Sequence, residues 1–117
     1  MAQYIVAHDV GTSGNKAVLV DVKGGVHGKC IKPYGIKYPR PGWAEQEPDS
    51  YWAAVTETTR QLLSDTGVKP ADIMCITYST QMLGIVPMDE KGGPLRDTII
   101  WLDCRAPDEA AWAGRRF

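Results

Sequence analysis

Apolar and polar positions alternate in short blocks along the first third of the chain. Residues 3–8 (QYIVAH) read as a buried strand. Residues 16–22 (KAVLVDV) read as a second, and the Lys23-Gly24-Gly25 turn leads into a third strand-like run over 26–38, marked by Val26, Ile31, Ile36 and Tyr38. Glycine supplies the positive φ that tight hairpin turns require, so the chain is expected to begin as an antiparallel meander.

The pattern then changes period. A Pro- and Gly-rich loop, PRPGWAEQEP (39–48), precedes a helix. Glu47 can cap it, and Pro48 suits the first helical position because its missing N–H would be unpaired there anyway. Trp52, Val55, Thr59, Leu62 and Leu63 recur at helical spacing, and Gly67 marks the stop. Residues 73–79 (IMCITYS) read as a buried strand, and 84–88 (GIVPM) as an edge strand or bulge because of Pro87. Asp89 to Pro94 is a turn, residues 98–102 (TIIWL) are extended, and Pro107 opens a last helix that runs to Phe117 with Trp112 on an incomplete face. That ending predicts a chain cut short relative to its architecture. No repeat or low-complexity tract is expected.

Composition narrows the class without naming it. The 117 residues are 44% hydrophobic and 23% charged, with a net charge of −1. That balance gives no general attraction to nucleic acid or to an anionic membrane. A chain of this length buries roughly two-thirds of its unfolded surface. Cys30, Cys75 and Cys104 are odd in number and widely spaced, which predicts reduced thiols and no zinc site. With no basic segment leading into an apolar one at the N-terminus, and no apolar stretch near the ~20 residues of a membrane helix, a cytoplasmic protein is expected.

The candidate chemistry lies between the first two strands, in DVGTSGNK (9–16). It lacks the G-x-x-x-x-G-K-[ST] spacing of a P-loop. The dinucleotide fingerprint is excluded because the next element is a strand. A Gly-Thr-Ser-Gly turn offers backbone N–H groups and two hydroxyls to phosphate oxygens, and Lys16 adds a positive charge. Asp9 would repel bare phosphate, so its task would be to hold Mg²⁺ through water. From these residues alone, a glycine-rich hairpin with solvated side chains is the other reading.

The arrangement resembles the first phosphate motif of the sugar-kinase, actin and heat-shock chaperone superfamily. PGWAEQEPDSYW (41–52), STQMLGIVPMDEKGGPLR (79–96) and TIIWLDCRA (98–106) resemble further motifs of the FGGY carbohydrate kinases, xylulokinase-like members above all. The resemblance covers essentially all 117 residues. It implies an α/β fold, a ribonuclease-H-like mixed β-sheet with helices of the actin-like ATPase superfamily, here incomplete. Residues 1–117 would be the N-terminal part of the first, sugar-binding domain, with the second, ATP-binding domain absent.

The same resemblance implies ATP and Mg²⁺ as cofactors and a sugar or polyol as substrate. Asp9 would organise the metal, and Gly11, Thr12, Ser13 and Lys16 would face the transferring phosphate. Gln81, Met82, Leu83, Trp101 and Asp103 would sit at the sugar, with Arg105 as a brace. The general-base aspartate is expected beyond Phe117, so no catalytic residue is assigned and the chain is expected to be inactive alone. The xylulokinase pattern at 81–84 is Gln-Met-His-Gly. Leu83 stands where that histidine would, and leucine neither donates nor accepts a hydrogen bond. A ketose or polyol other than D-xylulose, or one with an apolar face near Leu83, fits as well.

Blander roles stand beside these. Met82, Leu83 and Trp101 could simply pack, and Asp103 with Arg105 could be a surface ion pair. Trp43 is expected over the sheet, and His8 and His27 as structural or surface residues. The alternative function is a non-catalytic fragment that binds sugar weakly or self-associates, as a homodimer for instance. A non-kinase ATPase of the actin-like superfamily fits the W-x-D-x-R stretch and the PGWAEQEP loop less well.

Overall fold

The computed structural model describes residues 3–117. They form two compact units, the first reaching to Gly35 and taking in Glu47–Met82, the second built from Ile36–Gln46 and Leu83–Phe117.

The first unit is a four-stranded mixed sheet with one helix. Strands β1 (Tyr4–Val10), β2 (Gly14–Asp21) and β3 (Val26–Pro33) run as the expected antiparallel meander. Strand β5 (Ile73–Thr80) joins parallel to β1, giving the order β3-β2-β1-β5. A parallel neighbour needs a long crossover, and helix α1 (Pro48–Thr66) lies within it.

Pro48 begins α1 and Gly67 ends it in the left-handed conformation, φ 68°, with its N–H bonded to Leu63 O. Glu47 occupies the N-cap position, but its side chain makes no capping bond. The buried stripe is Ala54, Val55, Thr58 and Leu62. Trp52, expected on that face, is 67% exposed. At 3.6 residues per turn it falls to one side of the stripe's centre.

Val6, Ala17, Leu19 and Leu62 make the fully buried cluster, flanked by Tyr4, Cys30, Val68 and Ile73. Val6, Leu19 and Leu62 each contribute about 1.5–3 kcal/mol by this burial. Gly28 lets β3 approach α1, since a Cβ there would stand 2.9 Å from Thr66 Cγ2. The helix packs chiefly across β2 and β3. Strand β5 was expected to be buried, yet it is open, with Met74, Ile76 and Tyr78 exposed. Its apolar character was legible, but not that α1 packs over β2 and β3 and leaves it open.

The second unit is built on a small pairing of β4 (Glu45–Gln46) with β6 (Thr98–Ile99). The segment 84–88 forms no strand, only the isolated bridges Ile85 to Ile99 and Met88 to Pro94. Pro87 has no N–H to continue a ladder. The extended run expected over 98–102 stops early, because Asp103 N–H turns back to Ile100 O. Helix α2 (Pro107–Gly114) buries no residue, and Trp112 lies exposed beneath Arg116.

A short repeat emerges that sequence reading passed over. DVKGG (21–25) and DEKGG (89–93) fold alike, one in each unit. In each, the aspartate Oδ1 accepts from the N–H groups two and four residues on, at 2.8 and 2.9 Å for Asp21 and 2.8 and 2.7 Å for Asp89. In each, the first glycine is left-handed, φ 86° at Gly24 and 81° at Gly92.

Candidate functional site

The connection between β1 and β2 is the chemically richest point of the first unit. Asp9 and Lys16 are cross-strand partners just below it, with Lys16 Nζ 3.3 Å from Asp9 Oδ2. Both side chains are about half exposed. An exposed pair of this kind contributes about 0–1 kcal/mol, so the fold does not depend on it. A half-open carboxylate beside a cation, at a loop bearing two hydroxyls, is a donor set suited to Mg²⁺ and phosphate.

The loop itself is held by a ring of contacts. Gly11 N–H bonds to Gly14 O at 3.0 Å, so that amide is occupied. Tyr34 O–H donates to Gly11 O at 2.5 Å, and its ring meets Tyr51 edge-on at 5.3 Å. Burial, then the charges of Tyr51 and Asp9, push the Tyr34 hydroxyl up to about 12. Gln81 Nε2 donates to Tyr51 Oη at 3.5 Å, and Thr12 Oγ1 donates to Gln81 Oε1 at 3.4 Å. Gln81 N–H is anchored on Val10 O. Ser13 is exposed at the tip.

Behind the loop, on the α1 side of the sheet, lies a buried polar cluster. Asn15 Nδ2 donates to His8 Nδ1 at 3.0 Å and to Thr58 Oγ1 at 2.8 Å. His8 Nε2 is 3.2 Å from Thr59 Oγ1, and Tyr78 stacks on the imidazole at 5.3 Å. Burial lowers the His8 pKa below its ordinary 6.5, against the hydrogen bond to Asn15. His27 is the other case, an exposed ring bonded to Asp21 Oδ2 at 2.7 Å. That bond, with the Gly25 and Lys23 amides, brings the Asp21 carboxyl down to about 2.

In the second unit, Asp103 and Arg105 are no surface pair. Their side chains are only 5% and 15% exposed. Arg105 also donates to Glu45, and Arg96 adds a further bond to the same carboxylate. Asp103 Oδ2 accepts the Ala44 N–H at 2.7 Å. The Arg105 fork and that amide hold the Asp103 carboxyl well below the usual range. Trp43 lies against the Arg105 guanidinium, 3.7 Å from ring centre to Cζ, with Arg40 at 4.9 Å. A cavity of about 590 Å³ opens here, walled by Leu83, Ile85, Ile99, Trp101, Asp103 and Pro107 among others. Leu83 has φ 59°, the single left-handed non-glycine among the described residues, and it is 83% exposed.

Asp9, Gly11, Thr12, Ser13 and Lys16 thus meet at one loop, and Gln81 joins them through Thr12. Met82 also belongs to the first unit and is exposed. Leu83, Trp101 and Asp103 belong to the second and share its cavity. Tyr34, Tyr51, the His8–Asn15 pair and Glu45 escaped sequence reading. An acid and a tryptophan two residues apart in a loop, with W-x-D-x-R downstream, were the available signal for Glu45.

Residues 4–112 match the model of the FGGY family of carbohydrate kinases, N-terminal domain. Over 104 residues the chain is 34% identical to glycerol kinase 2 of Thermotoga maritima, covering 88% of this chain and 21% of that protein. It is 32% identical over 115 residues to the xylulose kinase of Bacillus subtilis, covering 98% and 23%. The crystal structure of a gluconate kinase from Lactobacillus acidophilus superposes with a TM-score of 0.90 at 29% identity, covering 99% of this chain and 23% of the other. The chain spans about a fifth of the length of the curated relatives it matches.

Proposed function

The chain belongs to the FGGY family of carbohydrate kinases, and on that premise we propose that the complete protein transfers the γ-phosphoryl group of ATP to a hydroxyl of a sugar or polyol, with these residues forming the start of its first, sugar-binding domain. The observation that carries the reading is the half-exposed Asp9–Lys16 pair beneath a hydroxyl-bearing loop. Asp9 would hold Mg²⁺, and Thr12, Ser13 and Lys16 would receive phosphate oxygens. Bound there, the metal would neutralise charge on the transferring phosphate. Such transfer depends mostly on positioning and charge stabilisation.

Leu83, Trp101 and Asp103 would face the substrate. Asp103 is unsuited to act as base, because both its oxygens already accept hydrogen bonds. The group that deprotonates the sugar hydroxyl would come from outside the 117 residues. The relatives act, by their names, on glycerol, xylulose and gluconate. Leu83 favours a substrate other than D-xylulose, or one with an apolar edge. ATP dependence and three free cysteines favour the cytoplasm, and no helix of the described residues is long and apolar enough to cross a membrane.

A coupled ADP-release assay tests the reading. The 117-residue chain alone should stay at background across pentoses, hexoses and polyols. A kinase of the family's full length carrying it should release ADP only with an acceptor and Mg²⁺, and Asp9→Ala should abolish that. Acceptor-independent release would favour an ATPase, and turnover unaffected by Asp9→Ala would overturn the assignment of Asp9.

A further inference from the structure

The loop between β1 and β2 keeps its carbonyl oxygens occupied. Val10 O accepts Gln81 N–H at 2.9 Å, and Gly14 O accepts Gly11 N–H at 3.0 Å. The carbonyls of Gly11 and Ser13, one on each side of Thr12, both go to a single residue. Gly11 O accepts the Tyr34 hydroxyl at 2.5 Å, and Ser13 O accepts the Tyr34 backbone N–H at 3.3 Å. Tyr34 therefore holds the loop twice, once through its side chain and once through its backbone.

Peptide planarity turns this grip into an orientation. In a trans peptide the C=O and the following N–H point in opposite directions. With Gly11 O and Ser13 O drawn to Tyr34, the Thr12 and Gly14 N–H groups point away from it. A carbonyl oxygen carries partial negative charge and repels phosphate, whereas an amide hydrogen attracts it. A helix N-terminus turns its amides outward by its own geometry. A short strand-to-strand connection has no such geometry and needs donors from elsewhere to turn its carbonyls aside.

Tyr34 reaches the loop because β3 comes close there. It follows Pro33, the last residue of β3, and a Cβ on Gly14 would stand 2.8 Å from Pro33 Cα. Its half-buried ring meets Tyr51 of α1 edge-on, with centroids 5.3 Å apart. A second element thus sets the ring, and the hydroxyl delivers its one hydrogen to a fixed point. Phenylalanine would keep the ring contact and the backbone N–H and lose only the hydroxyl.

We propose that Tyr34 is a positioning residue for phosphate: it turns the Gly11 and Ser13 carbonyls aside, so that an incoming phosphate meets the amides and hydroxyls of 12–14 instead. This role rests on the phosphate binding proposed above for Thr12, Ser13 and Lys16. It adds a residue from outside the 9–16 motif, whose task is to shape the loop and not to touch the ligand.

Tyr34→Phe in the 117-residue chain, followed by ¹⁵N NMR, tests this. Thr12 N shares a peptide unit with Gly11 O, so its resonance should move when the hydroxyl is lost. Gly14 N shares one with Ser13 O and should move far less, because the substitution keeps the backbone N–H. The amides of α1 should hold. Mg²⁺–tripolyphosphate, the triphosphate of ATP without its nucleoside, is then titrated into both chains. In the wild type it should shift the Thr12 and Gly14 amides. In Tyr34→Phe its affinity should fall by a few-fold up to about tenfold, as for one hydrogen bond lost. A variant that melts earlier yet binds as tightly would show that the hydroxyl serves the fold alone, and would overturn the inference. So would a Thr12 resonance indifferent to the substitution. Should Tyr34→Phe not fold, the wild-type titration decides: tripolyphosphate that shifts other amides but neither Thr12 nor Gly14 overturns the role of Tyr34. No binding to the wild-type chain at all would overturn the phosphate reading and this role with it.

Discussion

Arg105 grips Asp103 by both carboxylate oxygens, Nε reaching Oδ1 at 2.8 Å and Nη2 reaching Oδ2 at 2.6 Å. The same Nη2 lies 2.7 Å from Glu45 Oε1. A planar guanidinium matches this fork, whereas a lysine could occupy only one point of it. Because Asp103 also takes the Ala44 N–H, one side chain ties the 103–105 turn to the 44–46 strand segment. Trp101 and the cavity wall hang on that tie.

Asp103 should make the second unit sensitive to acid. Its folded pKa lies below the ordinary 3.8, through the Arg105 hydrogen bonds first and the Ala44 and Arg105 amides after them. Its contribution is therefore fully present above 3.8 and is lost as pH falls below that value. Acid titration followed by Trp43 fluorescence should show this loss, and Asp103→Asn should flatten the acid limb while lowering the plateau. An Asn variant with an unchanged acid limb would show that other carboxylates dominate.

The two faces of α1 should separate cleanly. Leu62 is 1% exposed within the core cluster, and Leu62→Ala should cost about 2–5 kcal/mol. Trp52 is 67% exposed, and Trp52→Ala should stay within about 0.5 kcal/mol. Urea unfolding at fixed pH measures both. Similar losses at the two positions would mean that the helix is seated differently.

Gly14 should tolerate no side chain. A Cβ there would meet Lys32 O at 2.6 Å and Pro33 Cα at 2.8 Å, both backbone atoms of β3. Gly14→Ala should cost about 1–3 kcal/mol by overpacking. Thermal melts would register the loss, and a neutral substitution would imply that β3 gives way.

Leu83→His should move substrate preference toward D-xylulose in a full-length kinase carrying this chain. A hydrogen bond gained at a buried polar partner is worth about 0.5–3 kcal/mol. That corresponds to a few-fold up to about a hundredfold in relative kcat/KM. Competition between D-xylulose and glycerol reads the ratio, and an unchanged ratio would remove position 83 from recognition.

Strand β5 should drive self-association of the 117-residue chain. Met74 and Ile76 stand 60% and 45% exposed on a strand that α1 does not reach well, and soluble monomers rarely expose apolar patches beyond a few hundred Å². Light scattering over a dilution series should show dimers or larger species. A monomer at every concentration would mean that the open strand is tolerated.

Much of this architecture was legible because punctuation residues set it. Pro48 and Gly67 bound α1 at the residues expected, and Lys23-Gly24-Gly25 set the β2–β3 turn. What escaped notice was long-range. Apolar character in 73–79 announces a strand but not whether a helix lies above it. Asn15 and His8 are unremarkable seven residues apart, and become a pair only when β1 and β2 fold back on each other. At the site, Asp9, Thr12, Ser13 and Lys16 lay within eight residues, so one motif carried them. Tyr34 and Tyr51 reach the same loop from distant segments, and no local pattern marks them.

The twin D-x-K-G-G turns bear on the order in which the chain acquires its structure. Each closes a loop of a few residues by the aspartate's own hydrogen bonds, and local closures up to the size of a β-hairpin form within about 1–10 μs. The pairing of β1 with β5 joins Tyr4 to Ile73, across nearly the whole first unit, and must wait for that much larger loop to close. Each unit therefore carries its own local nucleus. Asp21→Ala and Asp89→Ala should each slow the early turn-closing phase of one unit and leave the other's untouched, a division of labour along the chain that temperature-jump relaxation on the microsecond scale would resolve.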